Sequence, residues 1–192
     1  MSKYYCKCCG DYSSSESSLL SGSCSYSKTG KHQLFEGPEA VKYFCAYCGD
    51  YNSSLSSLTH SSCSYSPTNK HVPYEGTEKP KYYCAYCGDY NSSLSSLTHS
   101  SCSYSPTRRH FPFAGNEKTK YFCAYCGDYN SSLSSLTHSS CSYSPTKHHF
   151  PYEGNEKPSY KCTYCGSSYS SLSSLCRSSC SKSPTRNHFP AK

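Results

Sequence analysis

The chain has 192 residues, 34% of them hydrophobic, and Tyr (22) and Cys (17) supply much of that fraction. Too few aliphatic residues remain for one core of normal size, so disulfides or a structural metal are expected to hold small units together. The formal net charge is +7. No apolar stretch approaches the roughly 20 residues that span a membrane, and no signal segment precedes the first motif, so a cytoplasmic location with reduced cysteines is expected.

The sequence repeats every 39 residues, and each copy begins with a CxxCG motif. The three middle copies share the identical stretch CAYCGDYNSSLSSLTHSSCSYSPT, whereas the first and last copies depart from it. Such departures are typical of units that cap an array, and recent duplication explains the identity of the others equally well. The predicted modules are 4–37, 43–76, 82–115, 121–154 and 160–190.

Each module begins with a predicted β-hairpin, taken here from the second copy. The aromatic and alternating segment 43–48 is typical of a short strand, and Gly49 with Asp50 marks the turn that follows it. Gly49 tolerates the positive φ that such tight turns often need. We expect about half of the tyrosines, among them Tyr51, Tyr65 and Tyr74, to form the small core of each module.

A short helix is predicted after the hairpin. Ser53 or Ser54 can cap its N-terminus, Leu55 and Leu58 lie on one face, and the pattern extends to about Cys63. A loop follows. The predicted fold is therefore five small metal-stabilised α+β modules in tandem, each a β-hairpin with a zinc knuckle, a short helix and a loop, with little shared core.

Four residues keep their place in every copy, with the spacing C-x2-C-x14-C-x7-H. Three thiolates and one imidazole are the ligands that tetrahedral zinc takes in structural sites, and a complete protein shell leaves no position for a substrate. Five zinc ions per chain are predicted. The predicted ligand sets are Cys6, Cys9, Cys24 and His32; Cys45, Cys48, Cys63 and His71; Cys84, Cys87, Cys102 and His110; Cys123, Cys126, Cys141 and His149; and Cys162, Cys165, Cys180 and His188.

Disulfides and another soft metal such as iron are the alternatives to zinc. Three in-register cysteines per copy leave one unpaired in any disulfide scheme, and pairing ignores the fixed histidine. Zinc also supplies apparent binding energy on the order of 10–16 kcal/mol in finger-sized peptides, far more than the few apolar residues of one module can contribute.

Several cysteines and histidines lie outside this register. One histidine precedes the helix cysteine by three residues and is near enough on a helix to reach the metal, but Ser21 and Arg177 replace it in the outer copies, so an exposed helix histidine is the plainer interpretation. This histidine is His60, His99 or His138 in the middle copies. Cys8 and Cys176 are expected to be free thiols, and His149 is preferred to its neighbour His148 as a ligand.

The motif Tyr-x-Cys-x2-Cys-Gly, the Ser-Ser-Leu helix start and linkers such as Gly76-Thr77-Glu78-Lys79-Pro80 resemble the two-cysteine, two-histidine zinc finger. A cysteine here replaces the first histidine, and the second spacer is longer. The chain is also similar to tandem CxxCG…C…H repeats in bacterial proteins of unassigned role. Both resemblances imply metal binding, and the zinc-finger resemblance implies contact with nucleic acid through the start of the helix.

The sequence favours a non-enzymatic structural or interaction scaffold whose repeated surfaces contact protein partners, or other copies of the chain in a filament or array. Each filled site would add two positive charges from zinc and three negative charges from thiolates, so five sites lower the net charge from +7 to +2. The helix starts carry serines where base-reading side chains would lie. Nucleic-acid binding, with tyrosines stacking on single-stranded bases, is the alternative. No membrane and no small-molecule substrate are expected.

Overall fold

A computed structural model describes residues 3–192 and contains the same elements five times. Each module has a hairpin of two very short antiparallel strands and one six-residue helix, followed by irregular loop. The strands are β1 Tyr4–Tyr5, β2 Tyr12–Ser13, β3 Tyr43–Phe44, β4 Tyr51–Asn52, β5 Tyr82–Tyr83, β6 Tyr90–Asn91, β7 Tyr121–Phe122, β8 Tyr129–Asn130, β9 Tyr160–Lys161 and β10 Ser168–Tyr169. The helices are α1 Glu16–Ser21, α2 Leu55–His60, α3 Leu94–His99, α4 Leu133–His138 and α5 Leu172–Arg177.

The hairpin is shorter than the sequence pattern predicts. In the second module, Phe44 pairs with Tyr51 and the strand ends before Cys45. The chain then forms a tight loop, because the Gly49 amide donates to the Cys45 carbonyl at 2.9 Å. Gly49 has a φ of 73°, a left-handed conformation that a residue with a Cβ adopts at a cost, as the sequence analysis predicted for this glycine.

The helix begins where predicted and ends earlier. Ser54 is its N-cap and accepts a hydrogen bond from the Ser57 amide at 3.1 Å. The prediction that the helix reaches Cys63 is wrong. Ser61 is extended, and its hydroxyl donates to the carbonyls of Ser57 and Leu58, both at 2.9 Å, which satisfies groups that another helical turn would have used.

A second tight loop returns the chain to the hairpin. Ser62 forms a β-bridge with Lys70, and the Cys63 amide donates to the carbonyl of Asn69 at 3.1 Å. Asn69 is left-handed with a φ of 55°. This loop places Cys63 beside the histidine that follows it.

The chain divides into two compact units, residues 1–82 with 91–100 and residues 83–90 with 101–192. Within each unit, neighbouring modules share apolar cores. In the first unit, Phe35 of the first module packs with Leu55 and Leu58 of the second. In the second unit, Ala124 of the fourth module packs with Leu172 and Leu175 of the fifth. Within the units, neighbouring modules therefore share more of their cores than the sequence predicts.

The tyrosines divide between the core and the surface. Tyr74 is buried and Tyr65 is half-buried against the core, as predicted, whereas Tyr51 is 57% exposed. The core prediction for Tyr51 is wrong, because this residue lies on the outer face of its short strand with the ammonium of Lys42 over its ring. No helix among residues 3–192 is long and apolar enough to cross a bilayer.

Candidate metal centres

The structure brings together the four side chains of each predicted ligand set. In all five groups the possible ligand atoms lie within 4.8 Å of one another. In the second, third and fourth modules all four residues are buried, and in the first and fifth modules one residue of each group is half-buried. Two loops and the hairpin converge on every group, because the first two cysteines lie in the CxxCG turn and the last two ligands flank the second loop.

The distances within each group fit tetrahedral zinc. The first and third sulfurs of a set are 3.9–4.0 Å apart. The second sulfur lies 3.3–3.5 Å from the histidine Nδ1. Tetrahedral bonds of about 2.3 Å to sulfur and about 2.0 Å to nitrogen place such atoms about 3.8 and about 3.5 Å apart. The chain therefore has five Cys3His groups consistent with five zinc sites, and in each of them the histidine Nδ1 lies next to the second sulfur.

The alternative of disulfide pairing does not fit this arrangement. A disulfide joins sulfurs at about 2.05 Å, half the separation observed here. All seventeen cysteines lie in the part of the chain that the structure describes, and all of them are free.

Backbone amides support the sulfur that begins each set. The Tyr86 amide donates to the Cys84 sulfur at 3.3 Å, and the Tyr125 amide donates to the Cys123 sulfur at the same distance. Donors of this kind stabilise a thiolate and orient it toward a metal. The CxxCG turn therefore provides both two sulfurs and part of the outer hydrogen bonding.

The pKa values in the metal-free groups reflect the same contacts. Hydrogen bonding from Cys87 lowers the pKa of Cys84 to about 5, although burial opposes this shift. Hydrogen bonding from Cys126 lowers the pKa of Cys123 to about 5 in the same way. Burial raises the pKa of Cys45. In the third and fourth modules the two sulfurs of the CxxCG turn thus share a proton, and a divalent cation would neutralise them when both ionise.

The histidines near the helix ends are not part of the metal groups. The Nδ1 of His60 lies 2.7 Å from the Ser56 carbonyl oxygen, and its ring centroid lies 4.7 Å from that of Tyr26 in the preceding module. His99 packs on Tyr65, and His138 on Tyr104, with ring centroids 4.8 Å apart in both pairs. These histidines therefore join neighbouring modules.

The cysteines outside the register occupy different surroundings. Cys176 is fully buried on α5, donates to the Ala124 carbonyl of the preceding module at 3.2 Å, and has a pKa raised to about 12 by burial. Cys8 is half-buried. His149 belongs to the fourth metal group, whereas the His148 ring packs on Tyr104 with centroids 4.9 Å apart.

Sequence reasoning missed the contact between each CxxCG turn and the next helix. Arg177 of α5 reaches back to the fourth turn, where its Nε donates to the Cys126 carbonyl at 3.2 Å and its guanidinium pairs with Asp128 at 2.6 Å. Arg177 is equivalent in the repeat to His60, and both side chains contact the module that precedes their own. The signal available in the sequence was that this position changes only in the outer copies.

Comparison with known proteins found no match among family models, curated proteins or solved structures. The description of the chain as five zinc-finger-like repeats accordingly depends on the geometry of its Cys3His groups. That geometry supports metal binding directly, because every group presents a complete set of four donors.

Proposed function

We propose that this chain is a non-enzymatic, zinc-stabilised scaffold that presents one surface repeatedly to protein partners. Support comes first from the sites themselves. Each would hold zinc with four protein ligands, and such a closed shell provides folding energy and offers no coordination position to a substrate. The scaffold's contacts would then be made by the residues outside the metal groups.

A repeated exposed tyrosine carries this proposal. It lies at the same hairpin position in the first four modules and is 57–59% exposed in each. These residues are Tyr12, Tyr51, Tyr90 and Tyr129. Large aromatic side chains are enriched in protein interfaces, so a tyrosine exposed at the same place in four modules is suited to contact a protein partner.

Neighbouring side chains restrict these tyrosines: an aromatic ring in all four modules, and a lysine in the first, second and fourth. An aromatic residue on the paired strand lies with its ring centroid 5.4–5.6 Å away. A lysine ammonium lies 4.5 Å above Tyr12, 4.6 Å above Tyr51 and 5.0 Å above Tyr129. Such a ring loses little conformational entropy on binding, because its position is already restricted.

The fifth module lacks this surface. Ser168 replaces the tyrosine, and Ser159 replaces the lysine that precedes the hairpin. Both changes occur together, as expected if ring and ammonium act as a pair. Four equivalent weak contacts to one partner, or to a partner with repeated sites, would raise the overall affinity without any single strong contact.

Single-stranded nucleic acid is a second candidate, favoured by the same lysine and tyrosine pairs, because bases stack on aromatic rings beside cationic groups. Reading of duplex DNA by the helices has less support. A Cβ on Gly49 would lie only 2.4 Å from the backbone nitrogen of Ser95, so the CxxCG turn of the second module packs directly on the start of α3. The start of the helix is the part that would enter the major groove of DNA, and here the turn covers it.

End-to-end self-assembly would join the fifth module of one chain to the first module of the next. The surfaces of these two modules differ from those that meet between neighbouring modules within the chain. On α2 to α5 the residue facing the preceding module is Thr or Cys and fully buried, whereas Leu20 of α1 is 40% exposed. In the fifth CxxCG turn, Thr163 and Ser167 replace the Ala and Asp of the middle copies. These differences favour contacts with other proteins over a filament.

The test replaces all four tyrosines by serine, the residue of the fifth module, in the full zinc-loaded chain. Photo-crosslinkers beside these positions should capture a protein partner from the unmodified chain, and the serine variant should lose it while keeping five zinc ions. Steep salt-dependent binding of single-stranded oligonucleotides, with no protein crosslink, would instead support the second candidate. Light scattering measures self-assembly in the same samples.

A further inference from the structure

A cleft of about 620 Å³ lies between the first and second modules, within the first unit. Small organic ligands bind in pockets of roughly 300–1,000 Å³, so this cleft has a suitable size. It is separate from the exposed tyrosines described above, and the proposal made here is independent of the scaffold function.

The cleft exists because two aromatic rings are missing from this junction. In the second unit, Tyr86 packs on Phe150 of the next module with centroids 5.3 Å apart, and Tyr125 packs on Phe189 at the same distance. The corresponding residues at the first junction are Cys8 and Val72, which both line the cleft. A space that an aromatic pair fills elsewhere is therefore left open and partly apolar.

The walls of this cleft are cationic. Lys7, Lys28 and Lys70 line it together with His71 of the second metal group, and no Asp or Glu is among the described lining residues. The ammonium of Lys70 lies 5.8 Å from the ring centroid of Tyr26, which forms another part of the wall. Three like charges around one cavity repel one another, and an anion bound between them removes that cost.

We propose that this cleft binds a nucleoside monophosphate. The base would occupy the space of the missing ring pair, against Tyr26 and Val72, and the phosphate would accept hydrogen bonds from the lysines. A flat aromatic group joined to a compact anion matches a cavity whose wall combines an aromatic ring, an apolar side chain and three lysines.

Isothermal titration of the full zinc-loaded chain with AMP tests this proposal, with adenosine and inorganic phosphate as separate ligands. AMP should bind, and each fragment should bind at least about tenfold more weakly, since it makes only part of the contacts. An oligoadenylate titration distinguishes a free nucleotide from the end of a strand: binding of the strand without binding of AMP would overturn the proposal.

The decisive variant combines Cys8→Tyr with Val72→Phe and fills the cleft. Both residues occur at the same positions in other modules, so the variant should fold and retain five zinc ions. It should bind AMP at least about tenfold more weakly than the original chain. Lys28→Ala should also weaken binding, whereas Lys182→Ala, in the fifth module, should not.

Three results would overturn the assignment. They are absence of AMP binding to the original chain at millimolar concentration, equal binding to the filled variant, and binding of inorganic phosphate as tight as that of AMP. NMR shifts induced by AMP should also centre on Val72 and Tyr26.

Discussion

A Cβ atom on Gly127 would lie 2.3 Å from the backbone nitrogen of Ser173, the second residue of α5. The glycine of the CxxCG turn thus has two roles. Its φ of 76° suits the turn, and its missing side chain lets the next helix pack directly on the turn. Gly166 has nearly the same φ, 75°, but no neighbour within 4 Å of a built Cβ.

These two glycines permit a matched experiment. Gly166→Ala should cost about 1 kcal/mol of stability, the strain of a left-handed alanine. Gly127→Ala should cost that amount plus roughly 1–3 kcal/mol, because the methyl group meets backbone atoms of α5 that cannot move aside. Thermal unfolding of both zinc-loaded variants measures the difference. Equal loss of stability in the two variants would show that the turn conformation alone requires glycine.

Loss of one ligand should remove one metal ion. In Cys141→Ser the zinc content, measured by elemental analysis, should fall from five ions to four, and the fourth module should lose its folded hydrogen-exchange protection, since structural zinc contributes on the order of 10–16 kcal/mol.

The control for this variant is Cys176→Thr, because the middle modules carry threonine at that position. It should retain all five ions and nearly the original stability. Loss of zinc in the threonine variant would contradict the assignment of Cys176 as a buried free thiol that does not bind the metal.

The sequence predicted most accurately what each module determines by itself. Local spacing and backbone conformation determine the ligand sets, the Ser54 cap and the left-handed Gly49. These features therefore recur in every copy of the repeat. The end of the helix at His60 was missed, because serine hydroxyls compete with backbone amides for the carbonyls of the last turn. The spacing of apolar residues along a helix does not reveal this competition. The exposure of Tyr51 and the role of His60 depend on packing between strands and between modules, which the pattern within one copy does not contain.

The contact between Tyr26 and His60 should stabilise the first unit without affecting metal binding. A double-mutant cycle with Tyr26→Ala and His60→Ala should give a coupling energy of about 0.5–1.5 kcal/mol, typical of packed aromatic pairs. Chemical denaturation supplies the free energies, and elemental analysis should find five zinc ions in every variant. If the His60→Ala variant bound only four zinc ions, His60 would have to be a zinc ligand.

Acid should release the zinc and unfold the modules. In the folded, metal-free chain the hydrogen bond between Cys84 and Cys87 lowers the pKa of Cys84 from the ordinary thiol value of 9.0 to about 5 and raises the pKa of Cys87. A group whose pKa is lowered by folding contributes its full stability above the ordinary value and loses it as the pH falls through the folded value. Zinc binding requires the same thiolates, so protons compete with the metal.

Dialysis of the zinc-loaded chain at a series of pH values, followed by elemental analysis and circular dichroism, measures this loss. Zinc should remain bound at about pH 7.5 and dissociate by about pH 4, with the helical signal falling in parallel, because protonated thiols no longer bind the metal. A matched series in sodium chloride at constant pH should leave the zinc in place, since most of the ligands, and all of those in the three middle modules, are buried from salt. Unfolding by acid while five ions remain bound would contradict the assignment of these cysteines as thiolate ligands.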